Sequence, residues 1–192
     1  MRKPRLPASP TPWPAAVLAV DPGESCGVCL MVRGEFVDSG HGYGFSPEFM
    51  DSWIERSAEL AAGERLKLVL VMEKPMAGGR AFPGRNPATG GVVIGCRKLW
   101  LARWKKSAKT VSKYVVSVYH STWRARILGM GRGGGQVLIA AERNRAQTVS
   151  TQPATAHDES VARLIALWGS RAGEVGALLP KKRPANDVER GT

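Results

Sequence analysis

Cysteine is scarce, with three in 192 residues. An odd, small number with no secretory signal gives no disulfide framework, so free thiols are expected. Cys26 and Cys29 have C-x-x-C spacing, but the segment around them reads as a strand. Residues three apart on a strand point to opposite faces, so the pair is not expected to share a metal. Long hydrophobic runs are also missing. None approaches the ~20 apolar residues of a membrane span, and the basic N-terminus lacks the apolar stretch of a secretory signal. A cytoplasmic protein with no membrane partner is the expectation. Aromatics make up only 7% of the chain, yet the hydrophobic fraction of 43% is enough for a core. The most informative absence is of acid: between Glu73 and Glu142 there is no Asp or Glu at all.

Within that acid-free stretch lie Lys74, Arg80, Arg85, Arg97, Lys98, Arg103, Lys105, Lys106, Lys109, Lys113, Arg124, Arg126 and Arg132. Residues 61–150 carry 17 basic and 3 acidic side chains, and the whole chain has a formal charge of +12. Such a block relieves its own repulsion by meeting a polyanion, and displaced counterions add entropy. Trp100, Trp104, Tyr114, Tyr119 and Trp123 fall in the same stretch, a composition typical of nucleic-acid-contacting surfaces. The plainer reading is a solvated basic face. Trp100 and Trp104, spaced i, i+4 on one helix face, fit a core or a dimer interface better than a base platform.

The domain is expected at residues 15–179, between a Pro-rich basic arm at 1–14 and a basic tail at 180–192. Short apolar runs at 15–20, 27–32 and 35–39 read as strands, with Arg33-Gly34 as a hairpin turn. Pro47 opens a segment in which Met50, Trp53, Ile54, Ser57, Ala58 and Ala61 recur at helical spacing. Residues 66–72 are almost wholly apolar, the pattern of a central strand covered on both faces and paired parallel to the first. A glycine-rich loop follows at 74–91, then a helix at 92–107, a strand at 114–119, a turn or helix at 122–128, and helices at 137–147 and 158–168. The predicted fold is α/β, a mixed five-stranded sheet with helices on both faces.

The chemistry is expected at three acids. Asp21 stands at the tip of the first strand, and Glu73 holds the same place on the fourth. If the strands are parallel neighbours, both carboxylates emerge at the sheet edge where open α/β folds put their ligands. Asp158 opens the last helix on the side of Val161, Ala162, Ile165 and Trp168, which must face the sheet. Each acid has a plain alternative: Asp21-Pro22-Gly23 is a good turn, and Asp158 is a natural helix cap. Glu73 closes an apolar run, a costly place for an acid without compensation. Three carboxylates meeting without Lys or Arg partners call for cations, and oxygen ligands suit Mg²⁺ or Mn²⁺.

Val17-Leu18-Ala19-Val20-Asp21-Pro22-Gly23 resembles the first motif of RuvC-type Holliday-junction resolvases. Leu70-Val71-Met72-Glu73 resembles the second, and Ala156 through Ala162 with 164–169 the last. Trp123 through Gly129 is similar to a segment of phage-type members. The resemblance spans roughly residues 16–175. It implies a ribonuclease H-like fold, a homodimer in a bacterial or phage-infected cell, and paired nicking of four-way DNA junctions with two Mg²⁺ ions. It makes Asp21, Glu73 and Asp158 the catalytic metal ligands. One departure stands out: the family closes with a second acid three residues after Asp158, where this chain has Val161. His157 and Glu159 are the candidates to replace it.

Substrate binding is expected from the basic block. The loop after Glu73 bears Lys74, Arg80, Phe82 and Arg85, and Phe82 or Met76 could wedge between unstacked bases. Arg97, Lys98, Arg124 and Arg126 are the remaining candidate DNA contacts. Three alternatives stay open: a junction-binding protein with a decayed site, an RNA-processing nuclease of the same superfamily, and a sugar-kinase-like ATPase. Residues 130–135 lack the Gly-Lys-Ser/Thr ending of a nucleotide P-loop.

Overall fold

A computed structural model describes residues 14–75, 87–107, 111–130 and 135–171. Both terminal segments and the stretch 76–86, with Met76, Arg80, Phe82 and Arg85, lie outside the described residues.

The element order is β1 (Ala15–Asp21), β2 (Ser25–Val32), β3 (Glu35–Tyr43), α1 (Pro47–Gly63), β4 (Lys67–Glu73), α2 (Pro87–Lys106), β5 (Lys113–Val118), α3 (His120–Leu128), α4 (Gly135–Ala146) and α5 (His157–Gly169). The sheet order is β3-β2-β1-β4-β5. β1, β2 and β3 are antiparallel, whereas β4 and β5 run parallel to β1. The mixed five-stranded sheet read from the sequence is therefore the one observed. Arg33 and Gly34 make the β2–β3 turn with φ of 53° and 84°, the left-handed pair that matches the twist of a hairpin.

Two cores lie on opposite faces of the sheet. Ala16, Leu18, Val20, Leu68, Leu70 and Met72 point toward α1 and α2, whereas Ala15, Val17, Ala19, Val69 and Val71 point toward the α3–α5 side. Strand alternation makes this division. It also separates Cys26, which packs with α1 and α2, from Cys29, which packs with α5. Both are free thiols, as is Cys96. α1 starts where Ser46 accepts a hydrogen bond from the Phe49 amide at 3.1 Å, and Pro47 follows at a position where no amide is needed.

Several boundaries moved. β3 continues to Tyr43 instead of ending near 39, because it pairs with β2 along its whole length. Its Asp38, Ser39 and His41 hide the strand in the sequence, while Gly40 and Gly42 leave room for the rings of Trp53 and Phe49. α2 begins at Pro87 rather than 92, since proline is tolerated in a first helical turn. The segment at 122–128 is a helix from His120, closed by Gly129 in the left-handed conformation.

α5 lies across β1 and β2, with α3 and α4 packed beside it. It is buried on nearly every side, Glu159 and Arg163 included.

Candidate active site

The register pairs Val20 of β1 with Met72 of β4, so Asp21 and Glu73 follow as the next neighbours on adjacent parallel strands. Alternation turns both toward the α3–α5 face, the face of Ala19 and Val71. On the other side of β1, Asp21 pairs with Gly27. A Cβ on Gly27 would lie 1.9 Å from the Asp158 carbonyl oxygen and 2.6 Å from the Glu159 nitrogen. The first turn of α5 therefore rests directly on the Gly27 backbone, beside Asp21. The α5 N-cap is Ala156, without a side-chain cap bond, so Asp158 is not spent as the cap residue.

The electrostatics follow from this convergence. Burial holds the Asp21 carboxyl well above the usual carboxylate range, and the negative charges of Glu73 and Asp158 push it further. Arg124 opposes the shift, while Glu142 adds to it. Glu73 accepts a hydrogen bond from Trp123 Nε1 at 3.3 Å, and His120 Nδ1 lies 3.5 Å from its other oxygen. Trp123, fully buried, fixes that carboxylate from α3.

Glu142 was not among the residues singled out from the sequence. It lies on α4 and is only 1% exposed. Arg124 Nε donates to its Oε1 at 2.6 Å, and His157 Nε2 is 3.3 Å from its Oε2. The signal was present: Glu142 is the acid that ends the acid-free stretch.

No protein-family model and no curated protein matches the sequence. Solved structures do. The structure of Thermus thermophilus RuvC matches with a TM-score of 0.51 at 14% identity, covering 86% of this chain and 99% of that one. T. thermophilus RuvC in complex with Holliday junction substrate matches with 0.50 at 14% identity, covering 87% and 99%. The chain has the RuvC fold. That fold is ribonuclease H-like, as the resemblance of the motifs implied, and the observed strand order agrees with it.

In this RuvC-like arrangement several expected roles change. Glu159 does not replace the missing acid. Its Oε1 accepts from Ser39 Oγ at 2.7 Å and Arg163 Nη2 at 2.8 Å, and its Oε2 accepts from the Thr155 amide and hydroxyl. The carboxylate is turned toward β3 and saturated there. Burial alone would raise its pKa, but these hydrogen bonds outweigh burial and lower it to about 2. A folded pKa below the unfolded value gives stability that is present above about pH 4 and lost as pH falls toward 2. Glu159→Gln is expected to cost about 3 kcal/mol at pH 7, with the difference from wild type closing between about pH 4 and 2 in denaturant melts. His157 faces Glu142, and its Nδ1 is buried with no hydrogen-bond partner among the described residues.

The aromatic residues of the basic block are not a nucleic-acid surface as a group. Trp100, Trp104 and Trp123 are at most 3% exposed and belong to the two cores. Of the basic candidates, Arg124 is held inward by Glu142 and stacks 5.0 Å over Trp123. Arg97 donates to Ser117 Oγ on β5. Lys74 lies 5.0 Å over the Tyr119 ring, immediately beyond Glu73. Lys98 and Arg126 are exposed.

Among the described residues no three His, Cys, Asp or Glu side chains already stand in a metal-holding group. Glu73 and Glu142 are both turned to protein donors. The donor set is nevertheless made of carboxylate oxygens around a half-buried acid whose charge is opposed by its neighbours, and that chemistry fits a hard divalent cation.

Proposed function

We propose that this chain is a divalent-metal-dependent endonuclease acting on four-way DNA junctions. The observation that carries the reading is Asp21: a half-buried carboxyl at the tip of β1, loaded with the negative charge of Glu73 and Asp158. Such an arrangement costs stability, and a site that carries that cost is a candidate for chemistry. Asp21, Glu73 and Asp158 would hold Mg²⁺ ions. Divalent ions at such a site supply charge stabilisation for both the entering and the leaving oxygen of an in-line phosphodiester displacement. Water adds at phosphorus and the P–O3′ bond breaks, leaving a 5′-phosphate and a 3′-hydroxyl.

The chain's own residues orient that reaction. Trp123 and His120 fix the Glu73 carboxylate, and the Gly27 contact fixes the start of α5. Lys74, Lys98 and Arg126 are suited to phosphate contacts by charge. Arg80, Phe82 and Arg85, in the segment that leaves from Glu73, are proposed to meet the junction centre. The likeness to a RuvC structure in complex with Holliday junction substrate supports the substrate class. Paired nicks require two such sites, hence a homodimer.

Val161 favours a second reading, a junction-binding protein that does not cut. A nicking assay on four-way, duplex and flap DNA, with Mg²⁺ and with EDTA, separates the two. Mg²⁺-dependent paired nicks specific to the four-way substrate are expected. Tight junction binding without cleavage at any Mg²⁺ or Mn²⁺ concentration would favour the binding protein, and preference for structured RNA in competition would move the substrate to RNA.

A further inference from the structure

Strand direction decides which parts of the chain share an end of the sheet. β3 is antiparallel to β2 and β2 to β1, so β3, β1, β4 and β5 all finish at the same edge. Asp21 and Glu73 hold the middle of that edge. Tyr43 closes β3 on one flank, and Tyr119 follows β5 on the other. Each lies two strands from β1 in the order β3-β2-β1-β4-β5. The register puts Tyr43 two residues and Tyr119 one residue beyond the row of Asp21. With strands about 4.8 Å apart, the two backbones therefore stand roughly 10–12 Å from that of Asp21, on opposite sides.

Among the described residues these two are the exposed Phe, Tyr or Trp rings: Tyr43 is 59% exposed and Tyr119 38%, whereas Trp100, Trp104, Trp123 and Trp168 are buried. Both are anchored. The Gly44 amide donates to the Glu24 carbonyl at 2.8 Å, and a Cβ on Gly44 would lie 1.9 Å from the Gly23 oxygen, so the end of β3 is clasped to the turn that follows Asp21. Phe45 backs Tyr43 with ring centroids 5.8 Å apart, and a Cβ on Gly95 of α2 would lie 3.4 Å from the Phe45 ring. On the other flank the Tyr119 carbonyl accepts from the Thr122 amide at 2.9 Å, and Lys74 Nζ lies 5.0 Å from the Tyr119 ring. A single exposed ring is ordinary on a protein surface. Two anchored rings on either side of one acidic edge, in a chain of charge +12, are a matched pair. We propose that Tyr43 and Tyr119 are stacking platforms for unpaired nucleotides on the two sides of the phosphate presented to Asp21. This rests on the nuclease reading above and names what that site selects. A duplex offers a protein base edges and phosphates, and the faces of its bases become available only where the stack is broken. Stacking on an aromatic ring tolerates any base, so the pair selects DNA structure rather than sequence.

The test measures affinity of the full chain, in EDTA so that nothing is cut, for a four-way junction and for the same sequences as plain duplex. Wild type is compared with Tyr43→Ala, Tyr119→Ala, Tyr43→Phe and Tyr119→Phe. Each alanine variant is expected to bind the junction about fivefold to a hundredfold more weakly, with duplex affinity unchanged and both phenylalanine variants near wild type. An alanine variant that binds the junction as wild type does overturns the proposal. So does equal loss on junction and duplex, the result of a fold defect or of a ring that serves a contact between two copies of the chain. Photocrosslinking of wild type to junctions carrying 5-iododeoxyuridine at successive positions around the exchange point needs no substitution. Adducts on both Tyr43 and Tyr119 are expected, and the absence of an adduct on either ring overturns the proposal. Wild type that binds the four-way junction no better than duplex overturns the junction reading and the proposal with it, whereas a normal preference with indifferent alanine variants overturns the proposal alone.

Discussion

Asp21→Asn is expected to abolish junction cleavage, by about a thousandfold or more, while junction affinity stays near wild type and the fold becomes more stable. The stability gain follows from the sign of the Asp21 shift. Its folded pKa lies well above the unfolded value, so the native state binds the extra proton between the two. Stability therefore falls as pH rises through that window, and the full cost of the buried charge is carried above it. Asparagine removes the charge, so the melting temperature should rise at neutral pH by about 2–4 °C per kcal/mol recovered at this chain length. The gain should vanish below about pH 4, where wild-type Asp21 is protonated in both states. Mg²⁺ should raise the melting temperature of wild type and leave the Asn variant unmoved. A variant that cuts normally, or melts earlier at pH 7, would contradict the role given to Asp21.

Gly27→Ala carries the second large effect. The new methyl group would sit 1.9 Å from a backbone carbonyl oxygen of α5, and neither backbone can yield alone. The helix start must lift from β2, at a packing cost of about 1–3 kcal/mol or more. Cleavage should fall further than stability does, by roughly a hundredfold, because displacing Asp158 from Asp21 by even about 1 Å spoils the geometry of the reacting groups. Gly63→Ala, at the end of α1 with open space around it, is the control expected to keep both. Equal behaviour of the two variants in melts and nicking assays would remove the Gly27 contact from the account.

What the sequence disclosed depends on how local the cause was. Residues 15–20 are apolar throughout and 66–72 are apolar but for Lys67, as strands covered on both faces should be, so β1, β4 and their parallel pairing were legible. Asp21 and Glu73 could be placed from strand ends alone. β3 was truncated because its second half is polar and glycine-rich, and its pairing with β2, not its composition, extends it. The surroundings of the acids were the least legible part. Trp123 looks like a base-stacking residue in a basic stretch, yet its indole nitrogen serves Glu73 from inside the core. Arg124 looks like a phosphate contact, yet its partner is a buried acid 18 residues ahead on another helix. Glu142 was passed over for the same reason. Proximity to Asp158 in the chain favoured Glu159, while helix packing gives its carboxylate to Arg163.

The most direct measurement is anomalous scattering from crystals soaked in Mn²⁺. The account predicts Mn²⁺ at the shared end of β1 and β4, about 2.1 Å from oxygens of Asp21 and at least one of Glu73 and Asp158, with no such signal in Asp21→Asn. Mn²⁺ bound only elsewhere on the protein, or at that sheet edge independently of Asp21, would contradict it.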